Sequence, residues 1–182
     1  MSKSITGSAR CIHIALLNKN IDDIDVSYLD KIYPEMSAIC KENEDLCETA
    51  KKLCVPYFEE LNAHEGITES KEAILDAINK RIAIQGRRND MHFEIAFHDN
   101  VAIGIAMFAI DLGTVRGLLQ SGYGTVMEFY IRPEYRRMDF GKEFWLHIEE
   151  TLCDDGASSC YVTPDSVTGV PFWTNMGFED SG

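Results

Sequence analysis

Apolar and polar residues recur along this chain with two periods, and the change between them divides it. Residues 10–17 read as a first strand, ended by the polar run Asn18-Lys19-Asn20. Residues 22–61 read as helical in two or three pieces, because Pro34 and Pro56 each start or kink a helix. Residues 70–85 form another helix, with Ile74, Ile78 and Ile82 recurring every four positions and Gly86 as its stop.

From Met91 the period becomes two. Phe93, Ile95 and Phe97 face one way, and His92, Glu94 and His98 the other. Asp99-Asn100 suits a tight turn, so residues 101–110 return as the second strand of a hairpin. A loop over residues 113–124 carries four glycines and leads into a strand over residues 125–131. Residues 140–153 are helical, with Phe140, Phe144, Ile148 and Leu152 on one stripe. A strand over residues 158–163 and a short helix over residues 168–176 follow. The fold class is mixed α/β, with one parallel βαβ crossover near the C-terminus.

A length of 182 residues with 45% hydrophobic content fits one domain with a sizeable core. Neither a repeat nor a Gly/Ser linker divides it, and residues 1–9 read as an untethered leader. The net charge of -13 argues against general nucleic-acid binding, which needs clustered Lys and Arg. It would attract cationic ligands such as polyamines, aminoglycosides or Lys-bearing partners, but a solvated acidic surface that keeps the protein soluble explains it better. The apolar run over residues 12–17 is too short to span a membrane. Six cysteines in a chain of this size, without a small-domain disulfide framework, fit a reducing cytoplasm. Cys40, Cys47 and Cys54 recur every seven residues, which suits buried small hydrophobes better than a zinc site. No metal is expected.

Residues 127–142 carry the chemistry. They read as a strand, a tight loop and a helix start. The first N–H groups of a helix lack internal partners and lie at its positive end, so such a loop can hold a pyrophosphate. Arg136, Arg137 and Lys142 add positive charge in an acidic protein. The alternative is a plain βα turn with solvated arginines.

This stretch resembles the acetyl-CoA motif of the GNAT superfamily of acyl-CoA-dependent N-acyltransferases. It contains Tyr130-Ile131, Pro133-Glu134-Tyr135 and the run Arg136-Arg137-Met138-Asp139-Phe140-Gly141. A second block, Phe172-Trp173-Thr174-Asn175-Met176-Gly177-Phe178, resembles the family's Phe-Tyr-x-x-x-Gly-Phe. The detailed match covers residues 125–178, the expected acetyl-CoA-binding core of a single GNAT domain over residues 1–182. The resemblance implies a mixed, mostly antiparallel sheet flanked by helices, with pantetheine between the central strand and its parallel neighbour. It implies contacts at Phe129, Tyr130 and Ile131, pyrophosphate at Arg136, Arg137, Met138, Asp139, Phe140, Gly141 and Lys142, and further contacts at Ser166, Phe172 and Trp173. Glu128 is placed as the base that deprotonates the amine, directly or through water, and the backbone near Phe129 as the oxyanion donor. His92 and His98 are further base candidates.

Two positions depart from the family pattern. Asp139 stands where the family has the first loop glycine, and as a helix N-cap it would still be tolerated by the fold. Trp173 stands where the family has the tyrosine that protonates departing CoA. The implied activity is transfer of acetyl from acetyl-CoA to a primary amine of a small molecule or peptide. The alternative is a GNAT-like module that binds acyl-CoA or a partner with little turnover. Residues 22–85 and 113–124 are expected to select the acceptor. The family's closing strand has no counterpart after Phe178. The strand over residues 158–163 should therefore show an open edge, covered by a second copy or its N-terminal segment.

Overall fold

The protein is described by a computed structural model that covers residues 2–4, 44–85, 91–111, 121–164 and 169–179. The strand expected over residues 10–17, the first part of the helical region, the stop at Gly86, Cys40, Ser166 and most of the glycine loop lie outside those residues.

In chain order the elements are β1 (Ser2–Ser4), α1 (Glu44–Glu65), α2 (Lys71–Gln85), β2 (Met91–His98), β3 (Val101–Ile110), β4 (Gly124–Ile131), a 3-10 turn (Pro133–Tyr135), α3 (Phe140–Asp154), β5 (Ser159–Val162) and α4 (Gly169–Asn175). The strands form one sheet in the order β1-β5-β4-β3-β2, in which only β4 and β5 run parallel. This is the mixed, mostly antiparallel sheet expected from the sequence.

The β2–β3 hairpin turns at Asp99 and Asn100, with φ of 48° and 63°. Two successive left-handed residues suit the right-handed twist of the strands they join, and Asp and Asn tolerate that backbone best after glycine. β3 is buried almost throughout because helices cover both of its faces. On one face, Leu53, Phe58, Ile74 and Ile78 of α1 and α2 pack with Ile105 and Tyr130. On the other, Phe144, Trp145, Ile148 and Leu152 of α3 and Trp173 of α4 pack with Ala106, Phe108, Val126 and Ile131. Cys47 and Cys54 are buried within the α1 cluster, as small hydrophobes should be.

Of the two roles expected for Pro56, starting or kinking a helix, the first is excluded, because α1 runs through it as one element. The proline removes one N–H, and burial of Leu53, Cys54 and Phe58 around it holds the flanking turns. Phe97 does not share the burial of Phe93 and Ile95; it is 52% exposed, beyond a register shift between Ala96 and Phe97. The leader is tied down in part. Ser2 pairs with Tyr161 and Ser4 with Ser159, antiparallel to β5. The outer N–H and C=O groups of β5 are what recruit it. The edge expected to need a second copy is therefore covered by this chain's own N-terminal segment.

Candidate functional site

β4 has different neighbours along its length. On one side it follows β3 from Gly124 opposite Ile110 to Ile131 opposite Gly104. On the other, its parallel pairing with β5 runs only from Gly124–Cys160 to Val126–Val162. The register with β3 also shifts between Met107 and Phe108, leaving Met127 as an extra residue on β4. Beyond Val126, β4 and β5 thus part.

The backbone that faces this gap can be assigned from the ladder. Arg132 N donates to Ile103 O at 2.8 Å. Antiparallel pairs alternate in direction, so Tyr130 and Glu128 also address β3, whereas Phe129 and Ile131 turn their N–H and C=O groups toward the gap. A tight approach supports this arrangement: a Cβ at Gly104 would lie 2.6 Å from Tyr130 O.

The gap opens into a cleft of about 690 Å³, a size suited to a small-molecule ligand. Phe129, Tyr130 and Ile131 line it from β4, and Val162, Thr163 and Pro164 from β5 and its exit. Phe172 and Trp173 line it from α4, and Asp139, Gly141 and Lys142 from the start of α3. Gly141 lets the helix start approach Phe172, since a Cβ there would sit 3.3 Å from the ring. The fourth wall, Tyr57, Glu60, Leu61 and His64 of α1, went unrecognised in the sequence. Its signal was the spacing of three, four and seven positions along one helix face.

The loop before α3 bends left-handed twice, at Arg137 (φ 65°) and Asp139 (φ 64°). Glycine takes this backbone without steric cost, which accounts for the glycine expected at position 139. Asp139 does not act as the anticipated N-cap. A cap needs extended backbone, and here the side chain makes no capping hydrogen bond and is exposed.

The three cations expected at this loop separate. Arg136 is committed elsewhere: its two terminal nitrogens bind Glu60 at 2.8 and 2.7 Å, and its Nε donates to Ile131 O at 2.8 Å. Its guanidinium also lies over the Tyr130 ring, 5.4 Å from the centroid. The Glu60 carboxylate raises the Arg136 pKa further, and burial raises that of the Tyr130 phenol. Arg137 and Lys142 are exposed and line the cleft. Met138 is exposed, and Phe140 is half-buried with its ring 4.5 Å from His98.

Glu128 is 9% exposed and accepts a hydrogen bond from the Tyr57 hydroxyl at 2.6 Å. Tyr57, rather than Glu128, is the member of this pair that lines the cleft. Trp173 is buried among Phe129, Phe172, Trp145 and Phe178, with ring centroids 4.9 to 5.3 Å away. Neither His92 nor His98 lines the cleft. His92 is buried, stacked on Phe108, with Nε2 2.6 Å from Asp155 Oδ2. Among the described residues, no helix is long and apolar enough to cross a membrane.

Comparison with known proteins agrees with this geometry. Residues 50–178 match the Acetyltransferase (GNAT) family. No curated protein matches the chain. Solved structures resemble it as well, among them the following three. PaiA N-acetyltransferase from Thermoplasma acidophilum, in complex with coenzyme A, is 22% identical with a TM-score of 0.54, over 73% of this chain and 83% of that one. Aminoglycoside N-acetyltransferase AAC(6')-Iy in complex with CoA is 18% identical with a TM-score of 0.56, over 76% and 85%. Aminoglycoside 6'-N-acetyltransferase AAC(6')-IG from Acinetobacter haemolyticus is 16% identical with a TM-score of 0.52, over 69% and 86%. At these identities the likeness is one of fold.

Proposed function

The chain belongs to the GNAT acetyltransferase family, and on that premise we propose that it is an N-acetyltransferase that moves acetyl from acetyl-CoA to a primary amine by direct attack. The observation that carries this reading is the parting of β4 from β5, which turns the backbone of Phe129 and Ile131 into a cleft. An extended pantetheine chain with amide groups could pair there as a strand would. The residues present fit such a ligand: gap-facing main chain, an aromatic wall at Phe172 and Trp173, and a helix start flanked by Arg137 and Lys142.

When bound, acetyl-CoA supplies the acetyl group as an activated thioester. The Phe129 N–H donates to the carbonyl oxygen as it gains negative charge. N–H groups from Arg137 to Lys142 hold the pyrophosphate, Ile131 the pantetheine, and Ser166 a further CoA contact. Glu128 is the base for the incoming ammonium. The acceptor is a small-molecule or peptide amine, and an acidic protein attracts such a cation. Neither nucleic acid nor a membrane is a partner, the setting is cytoplasmic, and no metal takes part. With β1 on β5, a homodimer no longer has the open edge as its reason.

The exposed Asp139 carboxylate at the anion-binding loop favours a second reading, a GNAT-like module with little turnover. Thiol release from acetyl-CoA with a panel of polyamines, aminoglycosides and lysine amides separates the two. Amine-dependent release supports the enzyme. A melting temperature raised by CoA without release from any amine supports the module.

A further inference from the structure

The base proposed above does not itself line the cleft. Glu128 is 9% exposed and sits on the α1 side of β4, and the group that lines the cleft is Tyr57, whose hydroxyl donates to Glu128 Oε2 at 2.6 Å. We propose that Tyr57 is a catalytic residue that relays the amine proton from the cleft to Glu128. This rests on the acetyltransferase reading.

The hydrogen bond fixes the direction of transfer. A carboxylate can only accept, so the phenol proton points at Glu128, and a phenol oxygen that donates can also accept from a donor in the cleft. An ammonium placed there gives one N–H proton to the Tyr57 oxygen while the Tyr57 proton moves to Glu128. The tyrosine ends as a neutral phenol, the carboxylate as a carboxylic acid, and the amine gains the lone pair needed for attack. The new C–N bond then forms as the C–S bond breaks. The second proton lost from nitrogen leaves with the CoA thiolate as thiol. Glu128 returns its proton to solvent by the same path.

Packing holds the phenol in place. The Tyr57 ring lies 5.3 Å from Tyr130 and 5.0 Å from Phe58. The other ionisable groups beside it in the cleft are Tyr130, Glu60, Arg136 and His64. Glu60 and Arg136 bind each other, and His64 is exposed on the same helix one turn further on. Trp173, at the family's tyrosine position, cannot exchange protons near neutral pH. A tyrosine on α1 supplies an ionisable hydroxyl to the same cleft from its opposite wall.

The test uses the full chain with acetyl-CoA, and with spermidine, kanamycin and an Nα-blocked lysine amide as acceptors, across a pH series. Tyr57→Phe keeps the ring and should slow transfer on the order of 100-fold near neutral pH. The deficit should shrink at high pH, where the free amine needs no relay. Glu128→Gln should show the same pH dependence, and the double variant should be no slower than either single one, as groups acting in one relay are not additive. A readout independent of turnover is ¹³Cζ-tyrosine NMR: the Tyr57 resonance, assigned by its loss in Tyr57→Phe, should move in Glu128→Gln. The shift in melting temperature with acetyl-CoA should be unchanged in both variants. Wild-type turnover with Tyr57→Phe equally fast at every pH overturns the relay and leaves the acetyltransferase reading standing. Absence of turnover by the wild type with all acceptors overturns both.

Discussion

Arg136 grips Glu60 through both carboxylate oxygens, at 2.8 and 2.7 Å, while its Nε takes the Ile131 carbonyl at 2.8 Å. One side chain therefore ties α1 to the end of β4. This fixes the distance between two walls of the cleft, and it removes from the gap a carbonyl that would otherwise face it.

Arg136→Lys should not behave as a conservative change. Lysine cannot make the two parallel bonds and the Nε contact together. Both partners are about one-third exposed, so solvent screening limits the loss. We expect roughly 1 kcal/mol, a fall in melting temperature of about 2–4 °C for a chain of this size. Calorimetry of the two proteins checks this; equal melting temperatures would mean that the grip contributes nothing to stability.

Asp139→Gly should tighten CoA binding. The substitution removes a carboxylate from the anion site and places glycine where φ is already 64°. A tenfold gain in affinity, about 1.4 kcal/mol, is the expected scale in titration calorimetry. Unchanged affinity would indicate that no phosphate lies beside this residue.

Gly104→Ala should be costly although it adds one methyl. The new Cβ would lie 2.6 Å from both Tyr130 O and Ile131 Cδ1, and the first of these is backbone. Forcing β3 from β4 at this point should cost about 1–3 kcal/mol. CoA binding should weaken as well, since the same backbone lines the cleft. Denaturant unfolding and CoA titration of one preparation measure both.

His147 makes part of the stability pH-dependent. Its Nε2 lies 2.6 Å from Glu94 Oε2, and this hydrogen bond raises its pKa above the usual 6.5. His92, Glu150 and Asp155 are the other charged or titratable groups of this cluster. A raised folded pKa means that the imidazolium is favoured by folding. The contribution is complete below the unfolded pKa near 6.5 and disappears as pH rises through the folded value. The melting temperature of the wild type should therefore fall relative to that of His147→Gln as pH is raised from 6 to 8.5. A constant difference across that range would contradict the assignment.

Much of the fold was legible because it follows period and turn chemistry. Ile74 and Ile78 mark the buried stripe of α2, and Asp99-Asn100 set the hairpin. The loop and helix start at Arg136 to Gly141 were placed by the family motif. Contacts between segments far apart in sequence were not legible. Nothing local to Arg136 shows that its partner is Glu60, 76 positions away, or that Glu128 bonds Tyr57, 71 positions away. The N-cap reading of Asp139 failed because residue type alone does not reveal left-handed backbone. The partnership of β1 with β5 was missed because a three-residue polar strand has no period of its own.

The claim that matters most is that the parting of β4 from β5 is an acetyl-CoA site, and amide hydrogen exchange with and without acetyl-CoA tests it most directly. We expect the Phe129 and Ile131 amides, which face the gap, and those of the helix start at residues 137–142 to slow when acetyl-CoA is added. The β2–β3 hairpin amides should slow only as far as global stabilisation requires. Unchanged exchange at Phe129 and Ile131 at saturating acetyl-CoA, or protection confined to another face, would contradict the account.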